Sequence, residues 1–372
     1  MKLQILQEGL AKAVSTASRF ASPKAQLPIL GNILISTQKT KVVVMSTNLE
    51  ISVAVSVGAK VEEEGDLSIP AKILNDIVSN LPKDTISLSS DKEQLKVSTS
   101  GFSSTVLGMS SVDFPKVPSQ IKQEKSLALP KKEFVEALGQ VTFSASLDET
   151  RPVLTGVLVI RTKNKISLVA TDGFRLSQKT IKVDGENDFR LILPKMILTE
   201  LSRDAASGDS VLFDFDSNDK QAVFGIGDTV LTSRLLEGDY PEFEKIIPKT
   251  YVVKLYLDKE EFLRSVKLAS VFARDAANIV KIKVLKDSIK IFAESGSSGN
   301  QEASVEAKVE KQDGFESGFE ISFNYRFLED FLHSVNGEEI SLEFSGVSTA
   351  GVFRDTSDPE YLHLIMPVRV QG

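Results

Sequence analysis

The sequence predicts an α+β protein assembled from three similar domains, each with two helices packed on antiparallel sheets. Three observations predict it. Two short segments recur three times at near-constant spacing, those segments carry apolar residues at helical spacing, and the stretches between them alternate apolar with polar residues. A helix with one apolar stripe and a strand with one apolar face bury both by packing on each other, which gives the layered class.

The first recurring segment is LQEGLAKAV at 6–14. Its counterparts are LPKKEFVEAL, beginning at Leu129, and LDKEEFLRSV, beginning at Leu257. Each follows an alternating apolar stretch, and Phe134, Leu138 and Val141 show the helical spacing. Leu10, Phe134 and Phe262 are equivalent, so the offsets are 124 and 128 residues. The second segment is LSIPAKILNDIV at 67–78, matched by LILPKMILTELS at 191–202 and EISFNYRFLEDFL at 320–332. Pro70 and Pro194 stand where a helix begins, a place that tolerates the missing N–H, and Asn324 replaces them as an N-cap. A turn and an alternating strand follow in every copy: TISLSS, SVLFDF and EISLEF.

Mid-unit, MSTNLEISV aligns with VATDGFRLS, so Thr47-Asn48 corresponds to Thr171-Asp172. At the ends of the first two copies, VDFPKV and GDYPEF place Asp113 and Asp239 126 residues apart. These landmarks predict domains at 1–125, 126–250 and 251–372, each with two helices and about eight short strands bounded by turn residues.

Composition narrows the function. A chain of 372 residues suits two or three domains, and 41% hydrophobic with 26% charged residues is ordinary for a soluble protein. No apolar run approaches the ~20 residues of a membrane span, and the start MKLQILQEGLAKAV lacks the unbroken apolar core of a signal peptide. A cytoplasmic protein with no membrane partner is expected. The absence of cysteine excludes disulfides and thiolate metal sites. Only His333 and His363 could serve a Ser-His-Asp arrangement. His333 falls in a helical pattern, FLEDFLHSV, and His363 in a strand pattern, YLHLIMPV, so both read as structural.

The net charge of −7 argues against a simple basic nucleic-acid binder, but it is unevenly spread. Lysine and arginine number 14 against 12 acids in the first domain, 16 against 19 in the second and 14 against 20 in the third. The first and last copies are therefore complementary, which suits head-to-tail closure with a second chain; acidity that aids solubility is the alternative. Basic residues on or beside the helices, among them Lys12, Arg19, Lys72, Lys131, Arg264 and Arg326, roughly balance the helical acids. Attraction of such a face to a polyanion would be modest and screened by salt.

The stretch VATDGFRLSQ, 169–178, is the most suggestive site. Asp172-Gly173 between the alternating runs KISLVA and FRLSQKTIKV is a hairpin signal, and Phe174 and Arg175 beside the glycine are suited to gripping a peptide. Elsewhere, DFDSND at 214–219 departs from a calcium loop, with Asp219 and Gly225 where glycine and glutamate are needed. ESGSSGN at 294–300 has the composition of a flexible loop, and EEEGD at 62–66 reads as a solvated acidic turn. No cofactor is expected. The competing readings are an enzyme, perhaps a metal-dependent hydrolase built around the carboxylates of Asp172, Asp214 and Asp216, and a repeat-built scaffold that never meets DNA.

Several of these stretches, in order, resemble the bacterial DNA polymerase sliding clamps, the DNA polymerase III beta subunit family. They are LPILGN at 27–32, TNLE at 47–50, IPAKIL at 69–74, ATDGFRL at 170–176, LEGDYPEF at 236–243 and YLHLIMPVRV at 361–370. The resemblance spans essentially the whole chain. It implies the DNA clamp fold, a head-to-tail homodimeric ring, and a non-catalytic processivity factor that encircles duplex DNA. The implied partners are the polymerase catalytic subunit, a clamp loader and other proteins carrying a short clamp-binding motif. Geometry agrees with two chains: twelve helices packed about 8–10 Å apart leave a hole of roughly 20–28 Å, enough for a duplex about 20 Å across, whereas six leave under about 10 Å.

The resemblance also implies site residues. A partner-peptide pocket takes Arg151, Leu154, Thr171, Gly173, Phe174, Arg175, Leu176, Pro241, Ile246, Asn324, Phe327, Val347, Leu364, Ile365, Met366, Pro367, Val368 and Arg369. Leu176, Ile246, Leu364 and Met366 form its greasy part, with Arg175 and Arg369 at polar edges; relatives often carry histidine in place of Phe174. DNA contacts fall to Lys24, Lys72, Lys195 and Lys245, with Asp148, Pro152 and Val153 in a nearby loop. The joint between chains takes Thr105, Val106 and Leu107 against Val271 and Phe272, flanked by Glu302 and Glu306.

Overall fold

Six helices form where the two recurring segments lie: α1 (Gln7–Ser18), α2 (Ala71–Asn80), α3 (Lys131–Val141), α4 (Lys195–Arg203), α5 (Lys259–Ala273) and α6 (Tyr325–Ser334). They belong to a computed structural model that describes residues 1–185, 187–203, 209–216, 218–312 and 319–369. The apolar stripes are the reason. α1 buries Leu10, Ala13, Val14 and Ala17, and α3 buries Phe134, Ala137, Leu138 and Val141, the same i, i+3, i+4, i+7 face. In α5 the face runs through Phe262, Val266, Ala269 and Ala273. The second helices of the three copies bury Leu74, Leu198 and Leu328 at equivalent places. Asn324 caps α6 as its position suggests, its Oδ1 accepting the Arg326 N–H at 3.0 Å. Pro70 and Pro194 differ slightly from expectation. Each ends the strand before its helix, one place ahead of the first helical residue, where a fixed φ aims the chain into the turn.

The chain forms two compact units. The first comprises Met1–Lys132 and Arg203–Leu235. Its five-stranded sheet runs Lys60–Glu63, Lys2–Leu6, Thr85–Asp91, Gln94–Thr99, Phe102–Leu107. Its eight-stranded sheet runs Leu127–Pro130, Ser210–Asp216, Gln221–Ile226, Thr229–Arg234, Ile51–Gly58, Lys41–Thr47, Asn32–Gln38, Asp66–Pro70. α1 lies so close to Ile51–Gly58 that a Cβ on Gly9 would come within 2.8 Å of Val57 Cγ1, which explains a glycine inside this helix.

The second unit comprises Glu133–Ser202 and Leu236 onward. Its nine-stranded sheet runs Phe189–Pro194, Gly156–Thr162, Lys165–Thr171, Arg175–Lys182, Tyr361–Ile365, Gly351–Asp355, Glu339–Phe344, Val253–Asp258, Lys308–Lys311. A four-stranded sheet runs Gly299–Glu306, Ser288–Ser295, Ile279–Val284, Glu320–Asn324. Pairing is antiparallel, as in the hairpin Lys165–Thr171 with Arg175–Lys182 and its junction with Tyr361–Ile365. The strands of the middle repeat are divided between the units, 156–194 in the second and 210–234 in the first. Aromatic side chains fill the core of the last repeat. Phe323, Phe331, Phe344, Phe353 and Tyr361 are all below 2% exposed, and each contributes on the order of 1.5–3 kcal/mol by burial.

Candidate functional site

The hairpin loop at Asp172–Gly173 is built by two side chains. Thr171 Oγ1 donates to the Arg175 carbonyl at 2.6 Å and accepts the Gly173 N–H at 3.0 Å. Asp172 Oδ1 accepts the N–H groups of Phe174 and Arg175, both at 2.9 Å. Thr171 pairs with Leu176, so four residues lie between them, two more than a minimal Asp-Gly hairpin would need. Gly173 has φ +91°, where a Cβ would be strained. The same device occurs in the first unit. Thr47 Oγ1 donates to the Ile51 carbonyl and accepts the Leu49 N–H, while Asn48 Oδ1 accepts from Glu50 and Ile51. The alignment of Thr47-Asn48 with Thr171-Asp172 therefore extends to individual hydrogen bonds.

Strand Tyr361–Ile365 runs beside the hairpin, with Leu364 opposite Leu176, and the Met366 N–H donates to the Phe174 carbonyl at 2.8 Å. Leu176 and Leu364 are buried in one apolar cluster with Leu154, Leu158, Val169, Tyr240, Phe243 and Leu362. Beside them Phe174 and Met366 leave apolar surface exposed, 62% for Phe174; Ile246, in the short turn after Phe243 of the cluster, and Val347 are exposed as well. Pro241, Gly173 and Arg369 are exposed too, and Pro367 and Val368 are half-buried. The Val368 N–H is tied to the Ser322 carbonyl at 2.8 Å. Strand alternation sends Ile365 elsewhere. Its side chain is fully buried in the core of the last repeat. Asn324 likewise spends its Oδ1 on the α6 cap.

Arg175 departs most from expectation. It is not an edge residue, because its side chain is only 11% exposed. Nε donates to Asp172 Oδ2 at 3.1 Å, Nη2 to the Phe143 carbonyl at 3.0 Å, and Nη1 pairs with the Asp330 carboxylate of α6. The guanidinium carbon sits 4.6 Å from the Phe327 ring centroid and 5.3 Å from that of Phe143. Sequence reading missed Asp330 and Phe143, since nothing in the linear pattern links Arg175 to a residue 155 positions away. Arg151, by contrast, is half exposed, 3.6 Å from Asp148, and its Nη1 lies over Gly173. Arg151 and Arg369 are both exposed cations.

His363 is fully buried. Its Nδ1 is 2.8 Å from Ser177 Oγ, itself 2.8 Å from Ser144 Oγ, while Nε2 has no hydrogen-bond partner among the described residues. Burial, then the Arg175 charge, pulls its pKa down to about 3. An imidazole held neutral at this depth cannot exchange protons with a ligand. His333 lies exposed in the last turn of α6.

Of the residues expected at DNA, Lys24, Lys72, Asp148 and Pro152 are exposed and Val153 is half-buried. Lys245 is exposed and ion-paired with Glu242. Lys195 differs: it is partly buried, and burial followed by the Arg175 charge lowers its pKa against the opposing pull of Asp330 and Asp172. Of the residues expected at a joint between chains, Thr105, Val106 and Leu107 lie in Phe102–Leu107, the edge strand of the five-stranded sheet, and Leu107 is 69% exposed. Val271, also exposed, and Phe272 end α5. Glu302 and Glu306 lie on Gly299–Glu306, the edge of the four-stranded sheet, with Glu302 paired to Lys290 at 2.6 Å.

Among the described residues the carboxylates of the hydrolase alternative belong to no metal-holding group. Asp172 lies in the second unit and serves its own loop and Arg175, whereas Asp214 and Asp216 lie in the first. Asp216 Oδ1 accepts the N–H of Asn218 and Asp219, a turn arrangement; Ser217 of DFDSND lies outside the described residues. Among the described residues no group of three histidine, aspartate or glutamate side chains is placed to hold a metal, and no helix is long and apolar enough to cross a membrane.

Comparison with known proteins converges on one family. Residues 1–118 match the N-terminal domain of the DNA polymerase III beta subunit, 128–242 its central domain and 244–369 its C-terminal domain. A beta sliding clamp from Synechocystis sp. is 30% identical over the full length of both chains, and one from Staphylococcus aureus is 27% identical over 99% of each. The crystal structure of a Bacillus subtilis DNA polymerase sliding clamp superposes with TM-score 0.93, at 25% identity and complete coverage of both chains.

Proposed function

This chain belongs to the DNA polymerase III beta subunit family, the beta sliding clamps, and from that premise we propose how its parts serve the clamp's task. It is a sliding clamp and a non-catalytic processivity factor; the hydrolase alternative has no support. Two chains close head-to-tail, the exposed edge strand Phe102–Leu107 of one joining the Gly299–Glu306 edge and the α5 end of the other. Six domains then ring a duplex. Lys24, Lys72, Lys195 and Lys245 face the phosphates, with Asp148, Pro152 and Val153 in a loop beside them.

A closed ring is retained on DNA by topology, so each phosphate contact can stay weak enough for sliding. A polymerase tethered to it stays at high effective concentration on the template. The tether is the cleft. An extended peptide with apolar anchors displaces water from Phe174, Ile246, Val347 and Met366, beside the buried pair Leu176 and Leu364, and meets Arg151 and Arg369 at its polar ends. The polymerase catalytic subunit, a clamp loader and other replication proteins bearing such a segment are the partners. The observation that carries this reading is the bond from Met366 N–H to the Phe174 carbonyl, which joins the hairpin to the C-terminal segment and makes one apolar wall of two distant stretches. Loading onto nicked circular DNA tests it: protein should remain through a sizing column and leave once the circle is linearised. Equal loss from both templates would refute encirclement.

A further inference from the structure

Resting on the pocket reading above, we infer that Asp330 is a positioning residue of the partner-peptide pocket, holding the Arg175 guanidinium over the Phe327 ring and so fixing the α6 side of the cleft. Arg175 has three anchors. Asp172 and the Phe143 carbonyl belong to the middle repeat, and Asp330 alone comes from α6. Phe327 is three residues before Asp330, so the ring under the guanidinium and the carboxylate at its end share one helix face. The pair thus links the hairpin that carries Leu176 to the helix that carries Phe327. An ion pair with cation–π contact sets this wall, where apolar packing alone would leave the ring free to turn.

The charge balance points the same way. Lys195 lies near Arg175, and burial, then the Arg175 charge, lowers its pKa against the opposing pull of Asp330 and Asp172. Without the Asp330 charge, two cations face one carboxylate, and Arg175 is driven off the ring toward water. The side chain of Asp330 is 43% exposed, and its neutral isostere keeps an oxygen acceptor for Arg175, so the fold is not at stake.

The test is fluorescence anisotropy with a fluorescein-labelled heptapeptide bearing leucine and phenylalanine anchors, titrated with the assembled protein. Asp330→Asn should bind about tenfold more weakly than wild type, as expected for a lost charged hydrogen bond, and Asp330→Glu should recover most of that loss. In a Phe327→Leu background, Asp330→Asn should have under about twofold further effect, because the carboxylate acts through the ring. Native mass should match wild type. Wild-type affinity in Asp330→Asn, or a full further loss in the Phe327→Leu background, would overturn the assignment while leaving the pocket intact. Failure of wild type to take up the peptide would overturn the pocket itself, and this inference with it.

Discussion

Mild acid should destabilise this protein through one side chain. His363 is fully buried between the rings of Phe143 and Phe331, 5.5 and 5.4 Å away, with Phe353 edge-on at 6.5 Å. Its folded pKa is about 3, lowered by burial and then by Arg175, against an ordinary value of 6.5. The folded pKa lies below the unfolded one, so between these values the unfolded chain binds the extra proton. Stability is therefore complete above pH 6.5 and is lost as pH falls toward 3. From those two values the loss relative to pH 7 is about 2 kcal/mol at pH 5 and about 3 kcal/mol at pH 4. The assay is urea unfolding of wild type and His363→Phe across this range. Replacement by phenylalanine forfeits the hydrogen bond to Ser177, a constant cost at every pH, but abolishes the titration. Other groups titrate in both proteins and cancel. The wild-type advantage at pH 7 should thus shrink by about 2 kcal/mol at pH 5. Parallel stability curves would refute a buried neutral imidazole.

Phe262→Ala, which empties a fully buried site on α5, should cost about 3–5 kcal/mol in urea unfolding while leaving α-helical circular dichroism intact at low denaturant. Asn48→Ala removes the acceptor for two backbone N–H groups in the first unit and should cost on the order of 1–3 kcal/mol of stability without touching peptide affinity; Asp172→Ala should lose both. Leu107→Asp places a charge on the exposed edge strand and should halve the native mass in sedimentation and abolish retention on circular DNA. Lys24→Glu with Lys72→Glu should weaken DNA association most at low salt and flatten its salt dependence, with thermal melting unchanged because both side chains are exposed.

Repetition made much of the fold legible. Equivalent positions Leu10, Phe134 and Phe262 all proved buried, because a residue three or four places from the next apolar one can only face the layer its helix covers. The hairpin at Asp172-Gly173 was legible too, although its extra loop residues were not. Their conformation depends on Thr171 and Asp172 side chains bonding to the backbone, an option that competes with the tightest turn and leaves no mark in apolar periodicity. Arg175 was read as an edge and lies inside, since burial of a cation requires partners and those partners come from Phe143 and Asp330, far along the chain. Ile365 shows the converse. A family-wide pocket assignment names a stretch, but strand alternation gives neighbouring residues to opposite faces, and Ile365 took the core side.

The twice-built loop separates what the repeat was inherited for from what the cleft adds. In the first unit, Thr47–Ile51 has the bonding of Thr171–Arg175, and strand Ile51–Gly58 pairs with Thr229–Arg234 as the second hairpin pairs with Tyr361–Ile365. Yet Ser52 and Thr232 face each other where Leu176 and Leu364 do, and Glu50 stands at the place of Phe174. Ser52 and Thr232 are buried much as the two leucines are, so the difference open to a peptide lies at the rim, where it would approach a carboxylate in place of an aromatic ring. The loop is thus a way of joining one repeat's sheet to the next, needed wherever repeats meet. The pocket proposed at the second loop would then rest on its rim, where Phe174 stands at the place of Glu50. The position of Arg175 differs too: its equivalent in the first unit is Ile51, which needs no carboxylate from a neighbouring helix. Hydrogen bonds shared by both loops therefore report stability, and the charges present in only one of them report recognition.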